Sequence, residues 1–391
     1  MSNVSTKELR GKVAIVGASE ADRIGIVPEK SVLALQAEAS LNALADAGLK
    51  PKDVDGLFVG ASGSFAANQL GEYLGITPRY MDGTTVGGCS FIMMVEHAML
   101  ALNAGIINVA MIVHGESGKS RVGAPAVVTP PDSNVGQYEL PFGTFGPPTT
   151  FSIPATRHMH RYGTKREAFA EVAVATRKWA AMHPKALMKD PLSIDDVMNA
   201  RMICWPFTLL MCCLVTDAGG AIVLTRADRA RHLRQPPVYV LGTGEATEHA
   251  MVSMMGDMTS SAAARISGKA AFEMAGVRHS DIQVAELYDA FAFTPMSALE
   301  DLGFCKPGES GDFVSGQRTA PGGAFPMNTN GGGLSYTHSG MYGMYTLIEL
   351  TRQLRGECGE RQVKGAQVGI AHGPGGMFAS AGTLIAGSMI P

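Results

Sequence analysis

The chain has 391 residues, of which 46% are hydrophobic and 17% are charged, so it can bury a large core and is not disordered. Its 32 Lys and Arg residues nearly balance 35 Asp and Glu residues, giving a net charge of −3 and no basic stripe for nucleic acid. No apolar run reaches the roughly 18 residues of a membrane span, and the first residues lack a secretory-signal pattern, so we expect a cytoplasmic protein that binds neither membrane nor nucleic acid.

The first part of the chain alternates predicted strands with predicted helices. The pattern predicts strands over residues 12–16, 56–59 and 107–114, and helices over residues 31–47 and 89–104 that end at Gly48 and Gly105. The last of these strands is β-branched and apolar, which is typical of a central strand covered on both faces. An α/β layered unit is therefore expected.

The second part of the chain repeats this unit. Ala47-Gly48-Leu49 with Asp53 matches Ala275-Gly276-Val277 with Asp281 at the same offset, after a predicted helix and before a predicted strand. The repeat predicts a second copy that starts near residues 238–242, with a helix over 339–354 and strands over 368–371 and 381–386. Two copies of one fold should pack face to face.

Residues 117–215 differ from both copies because they are richer in Pro, Met and aromatic residues. We interpret them as an inserted loop domain that covers the substrate, with a helix over 166–182. The expected division is residues 1–116 plus 216–236 for the N-terminal half, 117–215 for the insertion and 237–391 for the C-terminal half.

Cysteine usage does not indicate a metal site. No zinc-type spacing links the six cysteines, so we expect no bound metal and free thiols: Cys89, Cys204, Cys212, Cys213, Cys305 and Cys358. Most should be small buried apolar groups.

Four glycine-rich or sharply turned segments fall where predicted strands end: Val-Gly-Gly-Cys-Ser at 86–90, Glu-Leu-Tyr-Asp-Ala-Phe at 286–291, Asn-Thr-Asn-Gly-Gly-Gly-Leu-Ser-Tyr-Thr-His at 328–338 and His-Gly-Pro-Gly-Gly at 372–376. In this order on a duplicated α/β fold, they resemble the thiolase superfamily, most closely the branch of the sterol-carrier-protein-type thiolases. The resemblance implies a five-layered αβαβα fold. It also implies carbon–carbon bond chemistry next to a thioester, with coenzyme A as the substrate carrier and no covalently bound cofactor.

The resemblance implies a cysteine nucleophile at the start of the helix that Gly105 closes. That position is Gly88 here, and Cys89 stands one residue later, which turns its side chain by about 100° around a helix. Cys89 can therefore be the nucleophile only if the turn carries a compensating bulge. Otherwise Cys89 is a packing residue and the nucleophile position is empty.

The histidine loop keeps more of the family pattern. The resemblance assigns His338 to binding the thioester oxygen or activating a thiol, although a helix-capping role is the alternative. The second family cysteine is replaced by His372, which could move the α-carbon proton near neutral pH or could simply lie in a turn. Backbone N–H groups of the loop glycines are expected to face the oxyanion: Gly88, Gly332, Gly375 and Gly376.

Tyr288 stands where thiolases carry the asparagine of Asn-Glu-Ala-Phe. A tyrosine there can donate a hydrogen bond at the β-oxygen or act as an acid or base, unless it merely bonds the backbone. The thiolase-like aldolases of steroid side-chain degradation resemble this chain at Tyr288 and in lacking a cysteine at Gly88. They differ at His338, where the resemblance would call for another tyrosine.

Three functions follow from these alternatives. The first is acyl transfer or carbon–carbon bond cleavage or formation on a β-oxoacyl-CoA or β-hydroxyacyl-CoA, with Cys89 carrying the acyl group in the transferase form. The second is a retro-aldol lyase without an acyl-enzyme, and the third is a non-catalytic acyl-CoA-binding subunit. The resemblance further implies a homodimer with residues 107–113 near the two-fold interface, and a small zinc-ribbon/OB-fold acyl-CoA-binding partner.

Overall fold

The computed structural model describes residues 6–60, 65–124 and 129–390. The first half contains β1 (Val13–Glu20), α1 (Val32–Ala47), β2 (Gly56–Gly60), α2 (Ala66–Leu74), β3 (Tyr80–Asp82), α3 (Ser90–Asn103) and β4 (Val109–Ser117). The insertion adds α4 (Asn134–Tyr138), α5 (Pro147–Tyr162), α6 (Arg166–Ala181), α7 (Ile194–Asn199), β5 (Met202–Cys204) and β6 (Phe207–Thr208), before β7 (Asp217–Arg226) and α8 (Ala227–Ala230). The second half contains β8 (Val238–Thr247), α9 (Ala262–Ala275), β9 (Val284–Leu287), α10 (Phe293–Asp301), α11 (Ser310–Val314), α12 (Gly343–Arg355), β10 (Val368–Gly375) and β11 (Ser380–Gly387).

The main sheet joins the two halves. Its described strands run in the order β3-β2-β4-β7-β1-β8-β11-β10-β9, and β1 pairs with β8 only at Ala14 and Ile15. A parallel bridge from Ala285 to Met327 adds a further position beside β9. We number the strands of each half in chain order and count the Met327 position as the third strand of the second half. From its outer edge inwards, each half then has the order third, second, fourth, fifth and first strand. The predicted duplication is therefore confirmed.

Helices cover and separate the two halves of the sheet. On the outer side of the first half, α1 packs against β1, β4 and β7, and on the outer side of the second half α9 packs against β8 and β11. Between them, α3 and α12 contact strands of both halves. This is the expected five-layered αβαβα arrangement. The division of the chain at the boundaries given above stays a prediction.

Local sequence signals account for the helix ends. Ser31 caps α1 by accepting a hydrogen bond from the Ala34 N–H at 3.2 Å, and Gly48 ends the helix in the left-handed region at φ 71°. Gly105 follows α3 with φ 71°. The helix predicted over 339–354 begins only at Gly343, because residues 339–342 form the turn that carries the histidine loop into α12.

The predicted end of β10 needs correction, whereas the interface expected near residues 107–113 stays a prediction. Residues 372–375 do not form a loop, because they continue β10 and pair with β11. The strand at 107–113, expected near a two-fold interface, corresponds to β4, which bonds β2 on one side and β7 on the other. Its backbone groups are therefore used within the sheet, and β3 is the strand at that edge of the described sheet.

A buried ion pair fastens the central layer to the sheet. Both carboxylate oxygens of Glu20 on β1 accept hydrogen bonds from Arg352 on α12 at 2.7 Å, and the Tyr336 hydroxyl donates to the same carboxylate at 2.6 Å. Burial alone would raise the pKa of Glu20, but the Arg352 charge and hydrogen bonds hold that pKa well below its usual range. Glu20 thus ties β1, α12 and the histidine loop together.

Replacing the buried Arg352 cation should lower the free energy of unfolding far more than replacing an exposed cation. Arg352→Met leaves the buried Glu20 carboxylate with only the Tyr336 hydroxyl and Lys185, whose Nζ is 3.9 Å away, so we expect the free energy of unfolding at pH 7 to fall by about 3 kcal/mol. Urea denaturation at pH 7 and pH 4 measures this. The difference should shrink at pH 4, because the buried carboxylate of the variant can then take up a proton, whereas in the wild type the contribution of Glu20 is lost only as pH falls from its unfolded pKa towards its much lower folded pKa.

The control for this prediction is Lys269→Met, which removes an exposed cation beside Glu273. Its effect should stay within about 0.5 kcal/mol. Equal losses in the two variants would contradict the anchoring role of Glu20.

Candidate functional site

A tyrosine and a histidine meet where the second half of the sheet faces the central layer. Tyr288 directly follows β9, and its N–H donates to the His372 carbonyl of β10 at 2.9 Å. His338 follows a π-helical turn over Gly332–Tyr336. The Tyr288 hydroxyl lies 2.8 Å from Nε2 of His338, so the structure brings together two of the predicted catalytic side chains.

One contact of the imidazole favours one of its two neutral tautomers. The Gly340 N–H donates to Nδ1 of His338 at 3.4 Å, so a neutral ring carries its proton on Nε2 and donates it to the Tyr288 oxygen. Burial lowers the pKa of His338 to about 4, which keeps the ring neutral at pH 7. The phenol proton of Tyr288 is therefore left to donate to a third group.

The phenol is held in its protonated form. Burial raises the pKa of Tyr288 well above its ordinary value, although a hydrogen bond from the Tyr342 backbone acts in the opposite direction. Tyr288 and His338 are only 5% and 8% exposed. The pair is thus a hydrogen-bond donor in a site with little water, rather than a base.

The Tyr288 ring occupies the space beside Gly88. A Cβ added at residue 88 would lie 2.8 Å from two ring carbons of Tyr288 and 3.0 Å from the Pro374 carbonyl oxygen. Any side chain at the position where the family resemblance places a nucleophile would therefore collide with the tyrosine. In this chain the ring takes the place of that side chain.

The structure does not support Cys89 as a nucleophile. Its thiol is fully buried, lies 3.6 Å from the Met93 sulfur and packs beneath Gly375, where a Cβ would come within 2.5 Å of the sulfur. Burial raises the pKa of the Cys89 thiol to about 12, so the reactive thiolate is disfavoured near pH 7. The alternative interpretation of Cys89 as a packing residue fits this geometry.

The predicted proton-transfer role of His372 needs correction because of the strand alternation. A Cβ at Gly373 would face the Tyr288 side chain, so the neighbouring His372 points to the opposite face of β10. There its Nδ1 bonds the Thr383 hydroxyl at 2.8 Å, beneath the outer helix α9. Burial lowers its pKa to about 4. His372 and the Tyr288–His338 pair are on different sides of the sheet.

The four glycines chosen for the oxyanion have different surroundings. The Gly332 N–H donates to the Asn330 side chain at 2.8 Å, and a Cβ there would overlap the Asp289 carboxylate, so its role is to form the turn. This corrects the oxyanion role expected of Gly332. Gly375 and Gly376 lie against residues 86–87, where the end of β10 and the turn before α3 approach too closely for side chains. Oxyanion roles for Gly88, Gly375 and Gly376 stay predictions.

Asp289 is a site residue that the sequence reasoning missed. Its carboxylate accepts hydrogen bonds from the N–H groups of Gly333 at 2.6 Å and Leu334 at 3.3 Å. It thereby fixes the turn that presents His338. Burial raises the pKa of Asp289 to about 7. Its position next to Tyr288 was visible in the sequence, but the contacts to a turn more than forty residues away were not.

The insertion covers the histidine loop from outside. Arg177 on α6 donates to the Ser335 hydroxyl at 2.9 Å, and a Cβ at Gly331 would lie 2.5 Å from Ala180 of the same helix. The backbone of the loop also accepts hydrogen bonds from the N–H groups of Leu187 and Met188. The insertion therefore excludes water from one side of the site and fixes the loop.

Neither a metal-binding cluster nor a membrane-spanning helix occurs in the described ranges. No group of three or more His, Cys, Asp or Glu side chains in those ranges is arranged to hold a metal ion. No described helix is both long and apolar enough to cross a membrane.

Comparisons with known proteins agree with the fold. The solved structure described as "Ltp2-ChsH2(DUF35) aldolase" superposes with a TM-score of 0.89 and 31% identity, covering 97% of this chain and 98% of that chain. Residues 244–388 match the family described as "Thiolase C-terminal domain-like". The layers, the duplicated strand order and this match define a thiolase-type α/β protein.

Curated relatives extend the likeness over most of the chain. The "Acetyl-CoA acetyltransferase" of Methanothermobacter thermautotrophicus is 31% identical over 95% of this chain and 98% of its own length. The "17-hydroxy-3-oxo-4-pregnene-20-carboxyl-CoA lyase" of Mycobacterium tuberculosis is 34% identical over 89% of this chain and 92% of its own length. The chain therefore belongs to the thiolase superfamily and is an enzyme of it. Since relatives with both kinds of name are similarly distant, the site has to distinguish the two chemistries.

The contact between Tyr288 and Gly88 can be tested directly. Gly88→Ala should lower the free energy of unfolding by about 1–3 kcal/mol, because the added methyl overlaps the tyrosine ring. In the Tyr288→Ala background the same substitution should cost much less, and a double-mutant cycle on urea denaturation measures the coupling.

Gly83→Ala is the matched control, since nothing lies within 4 Å of a Cβ at that position. A Gly88→Ala cost that is unchanged in the Tyr288→Ala background would show that the ring does not fill this space.

Proposed function

We propose that this enzyme is a carbon–carbon lyase that cleaves a β-hydroxyacyl-CoA by a retro-aldol reaction, without an acyl-enzyme. The observation that carries the proposal is the Tyr288 ring beside Gly88, which fills the space that a nucleophilic side chain would need. Acyl transfer requires a covalent carrier, whereas aldol cleavage requires only an acid or base and a site for an enolate.

The Tyr288–His338 pair provides the enolate site. When the bond between the α-carbon and the β-carbon breaks, the β-hydroxyl carbon becomes a carbonyl and negative charge develops on the thioester oxygen. The Tyr288 hydroxyl donates to that oxygen, while the Nε2–H of His338 donates to the phenol oxygen at 2.8 Å and strengthens it as a donor. Their low exposure makes each hydrogen bond worth more than in water.

Acyl transfer through Cys89 is less well supported. The thiol lies under Gly375 and against Met93, and a pKa of about 12 leaves little thiolate to attack a thioester. A non-catalytic acyl-CoA-binding subunit would have no use for a buried phenol and imidazole in direct contact. The relatives named as a lyase and as an aldolase add support for the lyase interpretation.

Replacing two side chains separates the three functions. Tyr288→Phe should lower kcat for cleavage of β-hydroxyacyl-CoAs by about 100-fold or more, since one preorganised donor is lost. Cys89→Ala should stay within about threefold of the wild type. Release of the ketone or aldehyde and of the shortened acyl-CoA, followed by mass spectrometry over a panel of acyl chains, measures both.

Three results would refute the lyase. One is an acyl group found on Cys89, which would establish the acyltransferase. Another is loss of cleavage in Cys89→Ala. The third is unchanged activity of a partner complex carrying Tyr288→Phe, which would indicate the non-catalytic subunit.

We infer that the protein is cytoplasmic and that it forms two kinds of complex. The similar solved aldolase carries DUF35 in its name, which supports a small acyl-CoA-binding partner of the zinc-ribbon/OB-fold type here. A homodimer through β3 is the second, because that edge strand carries exposed Met81, and the helix before it in the chain, α2, carries exposed Tyr73. Phe142 and Phe145 of the insertion are 86% and 72% exposed and suit the heterologous partner.

Co-expression with a DUF35-type protein tests both associations. We expect a complex of two copies of each chain by size exclusion with light scattering. Met81→Lys should yield one copy of each chain, whereas Phe142→Ser with Phe145→Ser should release the partner and keep the homodimer. A fully active monomer without any partner would contradict both associations.

A further inference from the structure

A carboxylate that the sequence patterns do not single out lies against the segment that follows His338. His114 and Glu116 are alternate residues of β4, so their side chains leave the same face of the strand. Nε2 of His114 bonds the Ser339 hydroxyl at 2.9 Å. The Glu116 carboxylate packs against Gly340, where a Cβ would overlap it. Both side chains therefore touch the segment that immediately follows His338.

The proposed reaction needs a base, and the Tyr288–His338 pair does not contain one. The phenol stays protonated, and the imidazole carries its proton on Nε2 while Nδ1 accepts from Gly340. Asp289 is fully buried, and its oxygens accept from the N–H groups of Gly333 and Leu334. None of these groups is free to take the proton of a β-hydroxyl group.

Glu116 differs from them in exposure and in its neighbours. It is partly exposed, unlike Asp289, so its proton can exchange with solvent. Burial raises the pKa of Glu116 to about 7, and the charge of Arg121 acts against that rise. From the other elements it is faced by Tyr288 and Tyr345, whose high pKa values come mainly from burial, with a contribution from the Glu116 charge.

We propose that Glu116 is the proton-transfer residue of this site, taking the β-hydroxyl proton and returning it to the α-carbon. As the hydroxyl O–H bond breaks, its electron pair forms the new carbonyl, and the electrons of the cleaved carbon–carbon bond pass into the enolate. The Glu116 acid then protonates the enolate carbon and becomes a carboxylate again. The step balances without a metal or a redox partner. The assignment rests on the proposed lyase function.

The decisive measurement has two independent readouts. One is cleavage of the β-hydroxyacyl-CoA, and the other is exchange of the α-hydrogen of propionyl-CoA for deuterium in D₂O, followed by mass spectrometry. In cleavage the base removes the proton of the β-hydroxyl group, and in exchange the same base removes the hydrogen of the α-carbon. Glu116→Gln keeps the shape of the side chain, and we expect it to lose at least about 100-fold in both reactions while KM changes less than threefold.

Two further observations separate catalysis from a structural role. In the wild type kcat/KM should rise with pH through about 7 as Glu116 loses its proton, and this limb should disappear in Glu116→Gln. Added formate should restore cleavage in Glu116→Ala, because a small carboxylate can occupy the vacated space. Glu357→Gln is the matched control, since burial also raises the pKa of Glu357 but it lies far from the site, beside Arg355.

The outcomes are distinct for the two proposals. Exchange without cleavage in the wild type would overturn the lyase function and leave Glu116 as the base of another enolate reaction. Glu116→Gln retaining either activity within threefold, or losing activity through KM alone with no rescue of Glu116→Ala by formate, would overturn the role of Glu116. A wild type inactive in both assays would overturn both.

Discussion

The buried carboxylate of Asp289 is the constraint on which the site depends. It accepts two backbone hydrogen bonds from the turn that carries His338, and it follows Tyr288 directly in the chain. The dipeptide Tyr288-Asp289 therefore supplies the phenol of the pair and, through the turn, also fixes the distance from that phenol to His338. At the other end of the same turn, Tyr336 donates to Glu20, whose ion pair with Arg352 fastens α12 to β1. The turn is held at both ends by buried carboxylates, which suits a site that must keep its geometry without reorganisation.

Most of the fold could be predicted because its signals are local or periodic. The caps at Ser31 and Gly48, and the repeated Ala-Gly motif before an Asp, depend on neighbouring residues. Tyr288 and His338 could each be chosen as site residues, since the family resemblance covers both loops, but their direct contact could not be predicted. The role of His372 was wrong because one residue of register in β10 decides the face of the sheet, and the strand was expected to end at Ala371.

Close approaches between distant segments were the other missing information. Gly88 is informative only together with the Tyr288 ring two hundred residues later, and Gly340 only together with the Glu116 carboxylate. In the sequence a glycine predicts a turn, but it does not say which side chain uses the space left by its missing Cβ. Overall sequence identity also does not indicate which reaction the site performs, because relatives named as an acetyltransferase and as a lyase are 31% and 34% identical to this chain.

The burial that positions the pair also determines its chemistry. Removing water from Tyr288 and His338 raises the pKa of the phenol and lowers that of the imidazole, so both stay neutral, and the acceptor nitrogen of the imidazole is already used by the Gly340 N–H. A reaction that moves a proton then needs a group whose two protonation states are close in energy at pH 7. Such a group must also exchange its proton with solvent and have a free oxygen, whereas the oxygens of the fully buried Asp289, whose pKa is also raised to about 7, are used by the Gly333 and Leu334 N–H groups. A partly exposed carboxylate at the rim of the site meets this condition, whereas the deeply buried Cys89 and His372 do not.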